Sequence, residues 1–91
     1  MKNNALKMNG NVNVVIAIQP IAKGDPIIVG EQQLLNAAES IDLAHKIALV
    51  PIASGEKVFR YGEPIVEATR NVEQGEWVHV HNTRPIPAGP G

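Results

Sequence analysis

The chain has 91 residues, 44% of them apolar, no cysteine and a formal net charge of −1. This composition suits one small domain with an aliphatic core, since Phe59, Tyr61 and Trp77 are the only aromatics. It excludes a disulfide scaffold, a thiolate metal site and a Cys nucleophile, and eight basic against nine acidic residues give no long-range pull on nucleic acid.

Residues 1–10 are polar and read as a flexible lead-in without the apolar stretch of a signal peptide. The apolar run Val14–Ile18 is far short of the ~18 residues of a spanning helix, so no membrane partner is expected and the location is read as cytoplasmic. The folded domain is placed at residues 11–82. In "NVNVVIAI", Asn11–Ile18, the alternation puts Val12, Val14, Ile16 and Ile18 on one face of a strand. Pro26–Val29 is a second, short strand. Glu31–Ser40 contains helix formers and reads either as a short helix or as an extended connection.

Lys46–Ile52 reads as a strand that Pro51 bends or confines to an edge. Glu56–Tyr61 alternates, with Lys57, Phe59 and Tyr61 sharing a face, and Tyr61–Pro64 is a turn. Pro64–Asn71 is open between a strand and one helical turn. Glu76–His81 is the last strand, and residues 83–91, rich in Pro and Gly, form an extended tail.

One local pattern recurs. Pro20–Ile27, Pro51–Val58 and Asn71–Val78 each place an acidic residue after a glycine, with apolar residues on either side. A strand ends, the glycine accepts positive φ in a tight turn, and the next strand begins behind the acid. Gly24, Gly55 and Gly75 are separated by 31 and 20 residues, an inequality that argues against a solenoid. The expected architecture is a compact, folded-over all-β domain.

The candidate chemistry sits in "EWVHVHN", Glu76–Asn82. On a strand, Trp77, His79 and His81 line one face while Val78 and Val80 line the other. Two imidazoles at that spacing can lean on one divalent ion, but a metal centre needs a third ligand, for which His45, Asp42, Glu76 or another chain are the candidates. His-x-His alone does not separate such a site from two solvated histidines. His45 is a candidate general acid or base, and Lys46 or Arg84 can hold a carboxylate. No phosphate loop, Gly-x-Ser-x-Gly elbow or catalytic carboxylate pair is present.

Longer spacings carry more information than these motifs. Ala44–Asn82 contains His45-Lys46, then Gly55-Glu56-x-Val58, Tyr61-Gly62 and Ala68-Thr69, then Gly75-Glu76-x-Val78-His79-x-His81-Asn82. In this order they resemble the SAF-type N-terminal domain of the altronate/galactarate dehydratase family. Residues before Ala44 fit more loosely. The resemblance implies a small β-clip fold of the SAF/antifreeze-like kind and a metal-dependent hydroxy-acid lyase, with Fe2+ as the expected ion and Mn2+ as the alternative. His45, Lys46, His79, His81 and Asn82 fall on the family's polar positions. We assign His79 and His81 to metal binding and His45, Lys46 and Asn82 to catalysis.

The family pattern has glycine where this chain has Ala44 and Val66, and proline where it has Asp42. Positive φ would suit Ala44 and Val66 poorly. The dehydratase body is much larger than 91 residues, so a large catalytic subunit is the expected partner and a hydroxy acid the expected substrate. The small subunit of sulfolactate sulfo-lyase resembles the chain in the same way. A non-catalytic SAF binding or assembly module is the alternative of another class.

Overall fold

The computed structural model describes residues 2–7, 12–60 and 62–86. Every regular element among them is a strand: β1 (Ala5–Leu6), β2 (Val14–Ala17), β3 (Pro26–Val29), β4 (Gln32–Asn36), β5 (Lys46–Ala48), β6 (Lys57–Arg60), β7 (Glu63–Ala68), β8 (Trp77–Val78) and β9 (Thr83–Pro85). All pairings are antiparallel. A four-stranded sheet runs β1-β2-β5-β8, a hairpin joins β3 to β4, and a third sheet runs β6-β7-β9.

The four-stranded sheet serves two cores. Val15 and Ile47 are register partners and belong to one core with Ala17, Ile27, Leu35 and Ile41. Their chain neighbours Val14 and Ala48 are also partners, and they belong to the other core with Ile52, Val58, Ala68 and Val72. Successive residues on a strand point to opposite faces, so each face of this sheet floors its own core. Trp77 packs on the first core and Val78 lies in the second, which carries the division through β8.

The turns repeat more fully than three glycines suggest. Gly24, Gly55 and Gly75 do sit in turns between β segments. A fourth turn of the same kind joins Ile41 to Ile47, with Ala44 in the glycine's place and His45 in the acid's. Ala44 has φ 71° and Gly75 φ 88°. The four turns form two pairs related by a shift of 31 residues. Thus Ile21 bridges Ile41 as Ile52 bridges Val72, and Ala44 N–H donates to Ala17 O at 2.8 Å as Gly75 N–H donates to Ala48 O at 2.8 Å.

Each half is clipped by an asparagine. Asn4 Nδ2 donates to Pro26 O while its Oδ1 accepts from Ile28 N–H, at 2.8 and 2.7 Å. Asn13 does the same across Lys57 O and Phe59 N–H, each at 2.9 Å. Both asparagines bind where their hairpin carries a bulge, between Ile27 and Ile28 and between Val58 and Phe59. There the ladder leaves backbone groups to be satisfied by another partner.

Several expectations are corrected. Val15 and Ala17 are buried while Ile18 is 47% exposed, so Val12, Val14, Ile16 and Ile18 do not form the single inward face. Two covered faces remove the alternation that one covered face imposes. Glu31–Ser40 contains no helix: Gly30 (φ 59°) and Glu31 (φ 66°) make a two-residue hairpin turn and β4 follows. The ambiguous segment after Gly62 is β7. The lead-in supplies β1, and the tail begins with β9, which pairs with β7. Val66 is an ordinary strand residue, half-buried against the second core, so the missing glycine there costs no backbone strain. The expected placement of the Tyr61 side chain lies outside the described residues.

Candidate functional site

The last strand is shorter than expected. β8 stops at Val78, and the backbone turns through His79–Asn82. The turn is closed by Asn82 N–H donating to His79 O at 3.1 Å. Val80 does not go inward; it is 77% exposed. The Asn82 side chain is wholly buried, its Oδ1 accepting from His79 N–H at 2.9 Å and its Nδ2 donating to Trp77 O at 2.8 Å. Thr83 Oγ1 adds a bond to His79 O at 2.8 Å. Asn82 therefore acts within this chain by shaping the segment that carries Trp77 and His79.

This geometry collects an aromatic cluster. His79 stacks on Trp77 with ring centroids 5.0 Å apart and planes 12° from parallel. His81 lies on the same indole at 4.8 Å, tilted by 40°. His45 joins them from β5's leading turn, 5.2 Å from Trp77 and 5.1 Å from His79. The Trp77 Nε1–H donates to His45 Nδ1 at 2.8 Å. All three histidines of the chain thus meet around one tryptophan.

The turn explains why His45 is free to do so. In two of the three sister turns the carboxylate at this position caps its own turn: Glu56 Oε1 accepts from Ala53 N–H at 2.8 Å, and Glu76 Oε1 from Glu73 N–H at 2.6 Å. The imidazole of His45 instead bonds to the indole. Glu76 is committed to its cap, and Asp42 contributes a carbonyl to the His45 turn.

Lys46 is the register partner of Val78, on the face opposite His45. Half-buried, it lines an open pocket of about 180 Å³ together with Val66, Val78, His79 and Thr83. His79 both stacks on Trp77 and lines this pocket, so it joins the cluster to the cation. Arg84 lies elsewhere: its Nε pairs with the buried Glu67 at 3.0 Å, and Lys57 Nζ lies 3.6 Å from the same carboxylate.

Among the described residues, no group of three His, Cys, Asp or Glu side chains is gathered to hold a metal ion. Among the described residues, the chain alone therefore offers a metal ion only part of a ligand set. It offers the imidazoles of His79 and His81, and the candidate third ligands Asp42 and Glu76 do not join them.

Trp77 was not among the sequence-derived site residues, and only its place on the face shared with His79 and His81 hinted at its part. The fourth turn was also missed. Its signal was present as Ile41-x-x-Ala44-His45-x-Ile47, but neither the glycine nor the acid of the pattern is there.

A family model described as altronate/galactarate dehydratase SAF domain matches residues 3–85, a span that contains Ala44–Asn82 and extends well before it. The altronate dehydratase of Escherichia coli K12 is 35% identical over 79 residues, which cover 87% of this chain and 16% of that enzyme. The altronate dehydratase of Bacillus subtilis 168 is 33% identical over the same shares. The (2R)-sulfolactate sulfo-lyase subunit alpha of Paracoccus pantotrophus is 36% identical over 50 residues, 55% of this chain and 75% of that subunit.

Proposed function

This chain belongs to the altronate/galactarate dehydratase SAF-domain family, and from that premise we propose that it is the small subunit, or N-terminal domain, of a hydroxy-acid lyase of the sugar-acid dehydratase type. The observation that carries the reading is the convergence of His45, His79 and His81 on Trp77 beside the Lys46 pocket. An imidazole and a lysine lining an open pocket, with two further imidazoles gathered on the adjoining indole, suit an anionic substrate that must lose a proton.

The reaction removes the proton α to a carboxylate and expels the β-hydroxyl as water. Lys46 meets the carboxylate as a point charge. A histidine takes the proton, and His79, which lines the pocket, is the one placed to do so. Asn82 holds His79 in position through its backbone. A divalent ion, with Fe2+ expected and Mn2+ the alternative, supplies Lewis acidity to such chemistry; it would draw most of its ligands from a large catalytic subunit.

A second reading rests on size. The chain spans 16% of the altronate dehydratases but matches 75% of a sulfo-lyase alpha subunit. On that reading the same α-proton is removed and sulfite leaves in place of water. The histidine cluster argues against the third reading, a non-catalytic SAF module.

Co-expression with a large dehydratase-like subunit, followed by assays on altronate, galactarate and sulfolactate, tests the proposal. Turnover that requires both chains supports it, and the substrate decides between the first two readings. A stable complex inactive on all three acids overturns both.

A further inference from the structure

Trp77 is fixed before it meets His45. Its backbone N–H donates to Glu39 Oε2 at 3.1 Å, its carbonyl accepts from Asn82 Nδ2 at 2.8 Å, and His79 covers its indole. The indole Nε1–H then reaches His45 Nδ1 at 2.8 Å. An indole N–H can only donate, so the nitrogen facing it must present a lone pair. The bond therefore selects one form of the imidazole, with Nδ1 bare and the ring's single N–H on Nε2. Which nitrogen of a histidine carries the proton is set by the hydrogen bond that the other one makes.

We propose that Trp77 is a positioning residue that fixes His45 as an Nε2–H donor to an oxygen of the substrate, so that His45 neither takes up the α-proton nor ligates a metal. In this form Nε2 has no lone pair, which removes it as a base and as a ligand. The N–H it presents suits the oxygen that gains negative charge when the α-proton leaves, and such a preset donor costs no reorganisation during the reaction. No bond to His45 forms or breaks; the α-proton passes to another group, for which His79 is the neighbour at hand. The turn supports the assignment independently, because an imidazole replaces the capping carboxylate found in two sister turns and is spared that task.

The role in catalysis rests on the lyase reading, whereas the form of the ring can be read without any assay. In the 15N-labelled 91-residue chain, long-range proton–nitrogen correlation should show His45 Nδ1 as the unprotonated nitrogen. A scalar coupling across the hydrogen bond should link it to Trp77 Nε1–H. Trp77→Phe should abolish that coupling and shift both His45 nitrogens as the second tautomer gains population. A protonated Nδ1 in the wild-type chain, or nitrogen shifts unmoved by Trp77→Phe, would overturn the proposal whether or not the protein proves to be a lyase. In an active complex, His45→Ala should lower kcat by about 10²–10³-fold. His45→Gln, which keeps an N–H near the place of Nε2 and cannot take up a proton, should recover at least a tenth of wild-type kcat. Equal loss in the two variants would assign His45 to proton transfer instead.

Discussion

Asn82 and His79 hold each other twice: the Asn82 side-chain oxygen accepts from His79 N–H at 2.9 Å, and Asn82 N–H donates to His79 O at 3.1 Å. A third bond runs from the Asn82 amide to Trp77 O. Asn82→Ala leaves the part-buried His79 N–H and Trp77 carbonyl without these partners and should cost roughly 2 kcal/mol of stability. The same change should disperse the cluster, seen as a shift in Trp77 fluorescence in the folded variant. An unchanged spectrum would separate the clasp from the stacking.

His81 is exposed and its contact is with one face of Trp77. His81→Ala should leave stability within about 0.5 kcal/mol of wild type, as expected at a surface position. In the proposed complex with a large subunit the same variant, and His79→Ala beside it, should lose most of kcat/KM. Metal content measured on both variants separates a ligand from a proton carrier. Near-normal turnover by both would reduce the pair to surface residues.

Lone subunits give a simpler test. With no group of three metal-binding side chains among its described residues, the purified chain should not turn over hydroxy acids even when supplied with Fe2+ or Mn2+. Turnover by the 91-residue chain alone would refute the need for a second catalytic component.

Ala44 stands at φ 71° where its sister position carries Gly75. An L-residue in that region costs roughly 1–2 kcal/mol, and glycine returns about 0.4–1 kcal/mol of that through the entropy of the unfolded chain. Ala44→Gly should therefore stabilise the protein by about 0.5–1 kcal/mol, read from the denaturation midpoint.

Gly75 and Gly24 have the same φ of 88° but different surroundings. A Cβ on Gly24 would meet nothing within 4 Å, whereas one on Gly75 would come within 2.5 Å of Asn36 O and 3.0 Å of Ala38 N. Gly24→Ala should cost roughly 1–2 kcal/mol, the left-handed penalty alone. Gly75→Ala adds a backbone collision and should cost roughly 3 kcal/mol or more. Equal losses in parallel melts would remove the steric argument.

The glycine turns and the all-β class were legible because they are local: a Gly followed by an acid between apolar residues specifies a turn without reference to the rest of the chain. The family was legible through spacings spread over Ala44–Asn82. What was not legible depends on distant packing. Val14 and Val15 are adjacent and both buried because two different cores meet on β2. Nothing in "NVNVVIAI" announces that. Likewise the Trp77–His45 bond joins residues 32 apart in sequence, and the turn that aims His45 is disguised by Ala44.

The strand pair β2–β5 also governs how the molecule comes apart. Val15 and Ile47 roof one core with the same backbone from which Val14 and Ala48 close the other. Neither core can lose this pair and survive, so the two cannot melt in succession. Thermal unfolding should be a single cooperative transition, with Trp77 fluorescence, which reports on the first core, coinciding with far-ultraviolet circular dichroism. Scission at the exposed Gly30-Glu31 turn between β3 and β4 would leave each fragment with one strand of the pair and half of its ladder. The fragments should remain unfolded apart and regain structure only when mixed, as two pieces of one fold rather than two small domains.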